Sequence, residues 1–225
     1  MYTQLQPYKE MPEKTARIYS LIAGEVIRME RGYLILRELM TPSETRQKLL
    51  AKSGRNAFRD IKNAYRDLFP TNLFKLVDKA KDGEDYNMTL KGLIRAIQDE
   101  TSKDISELSA MILDVNVALR PLSIHRMKRT GHFSLNFAND IENGNGPPLS
   151  LGDFRCALDA IELFLDAVRA LFVEGSLSWE VTPVHFINTL MSKLAKAEEY
   201  DQLVQSGEIS QPNWQKHLEE NRSEI

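Results

Sequence analysis

One cysteine, Cys156, stands in a chain of 225 residues, which excludes an intrachain disulfide and any zinc site built on several thiolates. A reducing cytoplasm is the expected compartment. The apolar neighbours Phe154, Ala157 and Leu158 predict a buried, packing thiol rather than a nucleophile. A basic excess is missing too: 29 Lys+Arg face 32 Asp+Glu, for a formal net charge of -3. No bulk positive field draws such a protein to nucleic acid, so binding of that kind must rest on a local patch. No stretch approaches the ~20 apolar residues of a membrane span. The N-terminal stretch lacks a basic start followed by an unbroken apolar run, because Glu25 interrupts its most hydrophobic part. Also absent are a persuasive alternating strand pattern, an obvious internal repeat, a Gly-rich phosphate loop and a Glu-x-x-His pair. His185 and His217 have no evident ligand neighbours, so neither metal nor cofactor is expected.

What is present is the composition of a globular protein, 42% hydrophobic and 27% charged with a mean hydropathy of -0.37. Ile18, Ile22, Val26, Met29, Tyr33, Leu36 and Met40 step by three or four and predict one long helix from about Glu13 to Met40. Gly24 and Gly32 inside it are candidate points of close helix approach. "TPSE" at 41–44 reads as an N-cap, a first-turn proline and a capping-box glutamate, opening a helix expected to end near Gly54. Phe58, Ile61, Tyr65, Leu68 and Phe69 predict one face of a third helix stopped by Pro70. A short helix, a polar turn around Asp82-Gly83 and a helix opening at Thr89 follow.

Ser106 to Leu119 is expected to be helical with Leu108, Ile112, Val115 and Leu119 inward, until Pro121 bends or ends it. "ENGNGPPLS" at 142–150 is the clearest loop, and Ser150 with Asp153 forms another capping box. Phe154 to Val173 is nearly all apolar, broken by Asp159, Glu162, Asp166 and Arg169. It is a candidate central or dimer-forming helix, with its acidic stripe a water-facing edge or, more sharply, a partner for Arg126. A last helix, about Val184 to Val204, is entered through Thr182-Pro183 and followed by a polar tail. The fold class is all-α, a helical bundle with long crossing helices, divided as an extension at 1–12, a helical domain at 13–175 and a C-terminal helix and tail at 176–225.

Chemistry concentrates in "RMKRTGHFS", residues 126–134. Between Asp114 and Asp140 there is no acidic residue, while Arg120, His125, Arg126, Lys128, Arg129 and His132 follow one another closely. Guanidinium forks match phosphate oxygens, and histidine moves a proton near neutral pH. Metal-free RNA cleavage needs a base for the 2′-OH proton, an acid for the leaving 5′ oxygen and cations for the charged phosphorane. Arg126 and His132 could supply that kit. Six positions apart on a straight helix they do not converge, unless Gly131 ends the helix or a two-fold dimer pairs them across its axis. The same cations also fit a solvated basic helix face.

At these residues the sequence resembles the HEPN (higher eukaryote and prokaryote nucleotide-binding) family, especially its abortive-infection branch. The motif there is an arginine, a polar residue, lysine, arginine, two small residues and histidine. Arg126-Met127-Lys128-Arg129-Thr130-Gly131-His132 looks like it, except that Met127 stands where the family has Asn or Asp. A second match, Arg120 to His125, meets the loose spacing but carries proline after the arginine. The likeness extends through "NLFKLVDKAKDGEDYNMTLKGLIRAI" upstream and "LSLGDFRCALDAIELFLDAVRALF" downstream. It implies a HEPN-like bundle acting as a homodimer, with a composite site cutting RNA by 2′-OH attack. His132 would be general acid/base and Arg126 the phosphate stabiliser, with Lys128, Arg129, Arg120 and His125 as RNA contacts. The implied context is phage defence or a toxin–antitoxin system with an antitoxin or regulatory partner protein. The alternatives are a non-catalytic HEPN-like module binding a partner or nucleotide, and a structural dimer built on the 154–173 helix.

Overall fold

The computed structural model describes residues 9–41, 43–83, 85–123, 126–127, 150–173 and 184–209, with backbone alone at 82, 85 and 184–187. Among them the chain is an all-α bundle: α1 Glu13–Met40, α2 Glu44–Leu76, α3 Leu90–Glu100, α4 Ser106–Leu119, α5 Leu151–Ala170 and α6 Val184–Gln205. The strands are β1 Lys81–Asp82 and β2 Asp85–Tyr86, an antiparallel pair turning at Gly83 with φ of 62°. No described helix is long and apolar enough to cross a membrane. The chain divides into two compact units, one of Met1–Met40 with Arg59–Pro183 and one of Thr41–Phe58 with Val184–Ile225.

In the first unit α1 follows its apolar stripe: Ile18, Ile22, Val26, Met29, Tyr33 and Leu36 are buried, and Met40 packs on the rim of the core. Its N-terminus is tied to the last residue of α3. The Glu100 carboxylate accepts from the backbone N–H of Lys14 at 3.2 Å, and from the N–H and hydroxyl of Thr15, each at 2.8 Å. A carboxylate there satisfies orphan donors and complements the helix dipole. Gly32 does mark a close approach, since a Cβ would come within 2.8 Å of the Tyr65 ring, whereas Gly24 has nothing within 4 Å.

Two helix ends differ from expectation. Gly54 breaks helical geometry (φ 155°, ψ 58°) but the helix resumes at once. Pro70 does not stop it either, and α2 runs on to Leu76. An interior proline costs ~3 kcal/mol, yet Phe69, Leu73 and Leu76 are buried on the continuing helix, and each such side chain returns ~1.5–3 kcal/mol. Packing therefore outweighs the missing N–H. The expected apolar face splits: Phe69 is buried and Tyr65 packs on the core, while Ile61 and Leu68 are exposed.

Thr89 caps α3, its hydroxyl accepting from the Gly92 N–H at 3.0 Å. α4 buries Leu108, Ile112, Val115 and Leu119 as its period predicts, then tightens into a 3₁₀ turn at Arg120–Leu122 around Pro121. α5 opens on the predicted Ser150/Asp153 capping box. It is the central helix, packed along α4 and α1, with Phe154 against Phe69 at 5.0 Å between ring centroids. Phe154, Ala157, Leu158, Ile161, Phe164, Leu165 and Val168 are buried inside the unit, while Leu163 is exposed. In the second unit, Lys52 pairs with Glu198 of α6. Hydrogen bonds from Lys52 and Gln202 hold the Glu198 carboxyl below the usual range. The predicted loop at 142–149 and the polar tail from 210 lie outside the described residues.

Candidate functional site

The basic segment leaves the C-terminal end of α4. Arg120 is exposed in the 3₁₀ turn, where the Ser123 hydroxyl donates to its carbonyl at 2.7 Å. Arg126 is exposed as well, with its guanidinium carbon 4.8 Å from the centroid of the Phe74 ring. That ring projects from the part of α2 beyond Pro70 and packs against the hydrophobic core. Met127 is 57% exposed. His125, Lys128, Arg129 and His132 lie outside the described residues, and so does the geometry that would bring Arg126 and His132 together. Two of the six candidate residues, Arg120 and Arg126, are therefore placed, both at the surface.

A second charged cluster lies between α1 and α5. Arg155 donates through Nη1 to Glu30 at 2.6 Å, through Nε to Asp159 at 2.7 Å and through Nη2 to Glu162 at 2.7 Å. The Tyr33 ring lies 5.5 Å from its guanidinium carbon. Glu30 and Glu162 are nearly buried, with side-chain exposures of 11% and 12%, while Asp159 is 61% exposed. Burial pushes the Glu162 carboxyl up to about 7. The Arg155 charge and hydrogen bond oppose that rise, and repulsion from Glu30 and Asp159 adds to it. Burial works against the charge on Arg155, but Glu162, Glu30 and Asp159 together outweigh it and hold its pKa above the ordinary value. Glu162 Oε1 and Asp166 Oδ1 are buried with no hydrogen-bond partner among the described residues.

This cluster corrects two expectations. The acidic stripe of α5 is not simply a water-facing edge, since Glu162 is turned inward and pairs with Arg155, as Asp159 does. Cys156 is exposed rather than buried. Its apolar neighbours in sequence point elsewhere, because Phe154, Ala157 and Leu158 lie at other azimuths of a helix turning ~100° per residue. Sequence reasoning missed Glu30 and Arg155, although a signal existed. Val26, Glu30 and Tyr33 share the buried stripe of α1, and an acid inside an apolar stripe calls for a cation. Arg155, Asp159 and Glu162 at i, i+4 and i+7 offered one.

Chemically the two regions differ. The Arg155 cluster engages Nε, Nη1 and Nη2 of its arginine with carboxylates and ties α1 to α5. In the basic segment the described cations, Arg120 and Arg126, are exposed. Among the described residues, no three His, Cys, Asp or Glu side chains gather in a way that could hold a metal ion. Comparison with models of protein families, with curated proteins and with solved structures gives no match to this chain.

Proposed function

We propose that this chain is a HEPN-like endoribonuclease that cuts RNA without a metal. The observation that supports the reading most is the exposure of Arg126, seated on the Phe74 ring of α2, within a stretch that has no acidic residue between Asp114 and Asp140. A guanidinium so placed suits a phosphodiester, which it can bind bidentately. In the proposed reaction the 2′ oxygen attacks phosphorus as the P–O5′ bond breaks. His132 takes the 2′-OH proton, and a second copy of His132 across a two-fold axis protonates the 5′ oxygen. Arg126 stabilises the extra charge on the phosphorane. The products are a 2′,3′-cyclic phosphate and a 5′-hydroxyl. Lys128, Arg129, Arg120 and His125 contact the RNA backbone.

The setting that goes with this chemistry is a cytoplasmic homodimer serving phage defence or a toxin–antitoxin system, restrained by a partner protein. A second reading has its own observation. Met127, exposed where the family carries Asn or Asp, brings no polar group to the site, which favours a non-catalytic module binding a partner or nucleotide through the same cations. Incubation of a diverse RNA pool in EDTA with wild type and with His132→Ala separates the two. The ribonuclease predicts cyclic-phosphate ends from wild type alone. A folded wild type that binds RNA in a salt-sensitive way and cuts none supports the binding module.

A further inference from the structure

α4 carries two apolar seams, and the core uses one of them. Leu108, Ile112, Val115 and Leu119 face inward. On the far side Ser106, Ala110, Leu113, Val117 and Arg120 recur at intervals of four, three, four and three, and all five are exposed. Leu113 and Val117, at 66% and 69%, are the most exposed large hydrophobic side chains among the described residues. Alternating steps of four and three mark the contact line of two helices packed side by side. The outer seam therefore has the period of a helix-pairing face.

The charges along this seam select what can lie on it. Ala110 is small, and the residues one turn to either side of it, Glu107 and Asp114, are acids on the same edge of the helix. Arg120 stands at the opposite end of the seam. Two α4 helices laid antiparallel, about a two-fold axis midway between Leu113 and Val117, seat each Leu113 on the partner's Val117. The same register carries Arg120 over the partner's Ala110, where there is room for its stem and a carboxylate on each side for its guanidinium. A parallel pairing would instead set Arg120 against the partner's Arg120. An isologous axis makes every such contact twice.

We propose that the outer seam of α4 is the interface between two copies of this chain, paired antiparallel, with Leu113 and Val117 at its centre and Arg120 reaching the partner's Glu107 and Asp114. The ribonuclease reading calls for a two-fold pair but not for this face, so the interface goes beyond it and stands or falls by itself. A carboxylate engages two of the five N–H donors of a guanidinium, which leaves Arg120 donors for an RNA phosphate at the rim.

Sedimentation equilibrium of the full chain over a concentration series tests the interface. Wild type is expected to dimerise, and Leu113→Glu or Val117→Glu, each burying an unpaired charge twice, to weaken dimerisation at least ~100-fold. Both positions are exposed in the single chain, and Leu113→Ser/Val117→Ser removes the same contact without adding charge. Arg120→Glu should weaken dimerisation ~10-fold or more, and adding Glu107→Lys and Asp114→Lys should restore it. Leu163→Glu, at the exposed leucine of α5, should leave it unchanged. A monomeric wild type, a dimer that Leu113→Glu leaves intact, or a charge exchange that fails to restore pairing overturns the proposal. Dissociation by Leu163→Glu with none by Leu113→Glu overturns it too, by moving the interface to α5. A dimeric wild type, split by Leu113→Glu, that cuts no RNA upholds the interface and removes the ribonuclease reading, whereas a monomer that cuts RNA removes the interface alone.

Discussion

Arg155 and Arg126 are the same residue type placed against the same kind of surface, an aromatic ring, and they differ in exposure and in the partners the fold brings to them. Arg155 is 27% exposed and held by Glu30, Asp159 and Glu162. Its acceptors come from the protein itself, and two of them are nearly buried. Arg126 is exposed beyond the 3₁₀ turn that follows α4, in a stretch whose nearest acids in sequence are Asp114 and Asp140. The difference lies in exposure: Arg155, set among carboxylates of its own fold, holds α1 to α5, whereas Arg126 stands at the surface on the Phe74 ring.

The contrast breaks most visibly in activity. Arg126→Ala is expected to lower RNA cleavage ~10²–10³-fold, the usual cost of removing one donor to a developing oxyanion. Arg155→Ala should instead cost stability. It strands the buried Glu30 and Glu162 carboxylates, and removing one partner of a buried pair typically costs ~3–5 kcal/mol. Partial exposure of Arg155 puts the expected loss at the low end of that range, readable from urea unfolding midpoints. By the same assay Arg126→Ala should stay within ~0.5–1 kcal/mol of wild type, the scale of an exposed cation–π contact.

A smaller effect sharpens the comparison through pH. The Glu162 carboxyl titrates at about 7 in the folded protein against 4.5 ordinarily. Between those values the folded chain holds a proton that the unfolded chain releases, so this group makes stability fall as pH rises through the window. Glu162→Gln removes that dependence. Urea unfolding across pH 4.5 to 7 should therefore give a shallower decline for the variant than for wild type, and parallel curves would show that Glu162 does not carry the proton.

The sequence announced what is local. The period of α1, the inward set of α4, the Thr89 cap and the Ser150/Asp153 box all depend on neighbours within a turn or two, and the structure agrees with each. Pro70 misled because a local breaker was overruled by burial of Phe69, Leu73 and Leu76, which only tertiary packing decides. Cys156 misled because adjacency in sequence is not adjacency in azimuth. In the exposed segment the motif was visible as spacing, and the structure places Arg120 and Arg126. The Phe74 platform was not visible, since it comes from another helix. The Glu30–Arg155 pair hid for the same reason: 125 residues separate its members, and neither period nor cap reports such a contact.

The most direct test of the division between the two arginines is RNA cleavage in EDTA by wild type and by Arg126→Ala, with thermal unfolding of both. The account predicts that wild type leaves 2′,3′-cyclic phosphate ends and that Arg126→Ala loses cleavage while unfolding within a few degrees of wild type. An Arg126→Ala protein that is folded and cuts RNA as well as wild type would contradict it.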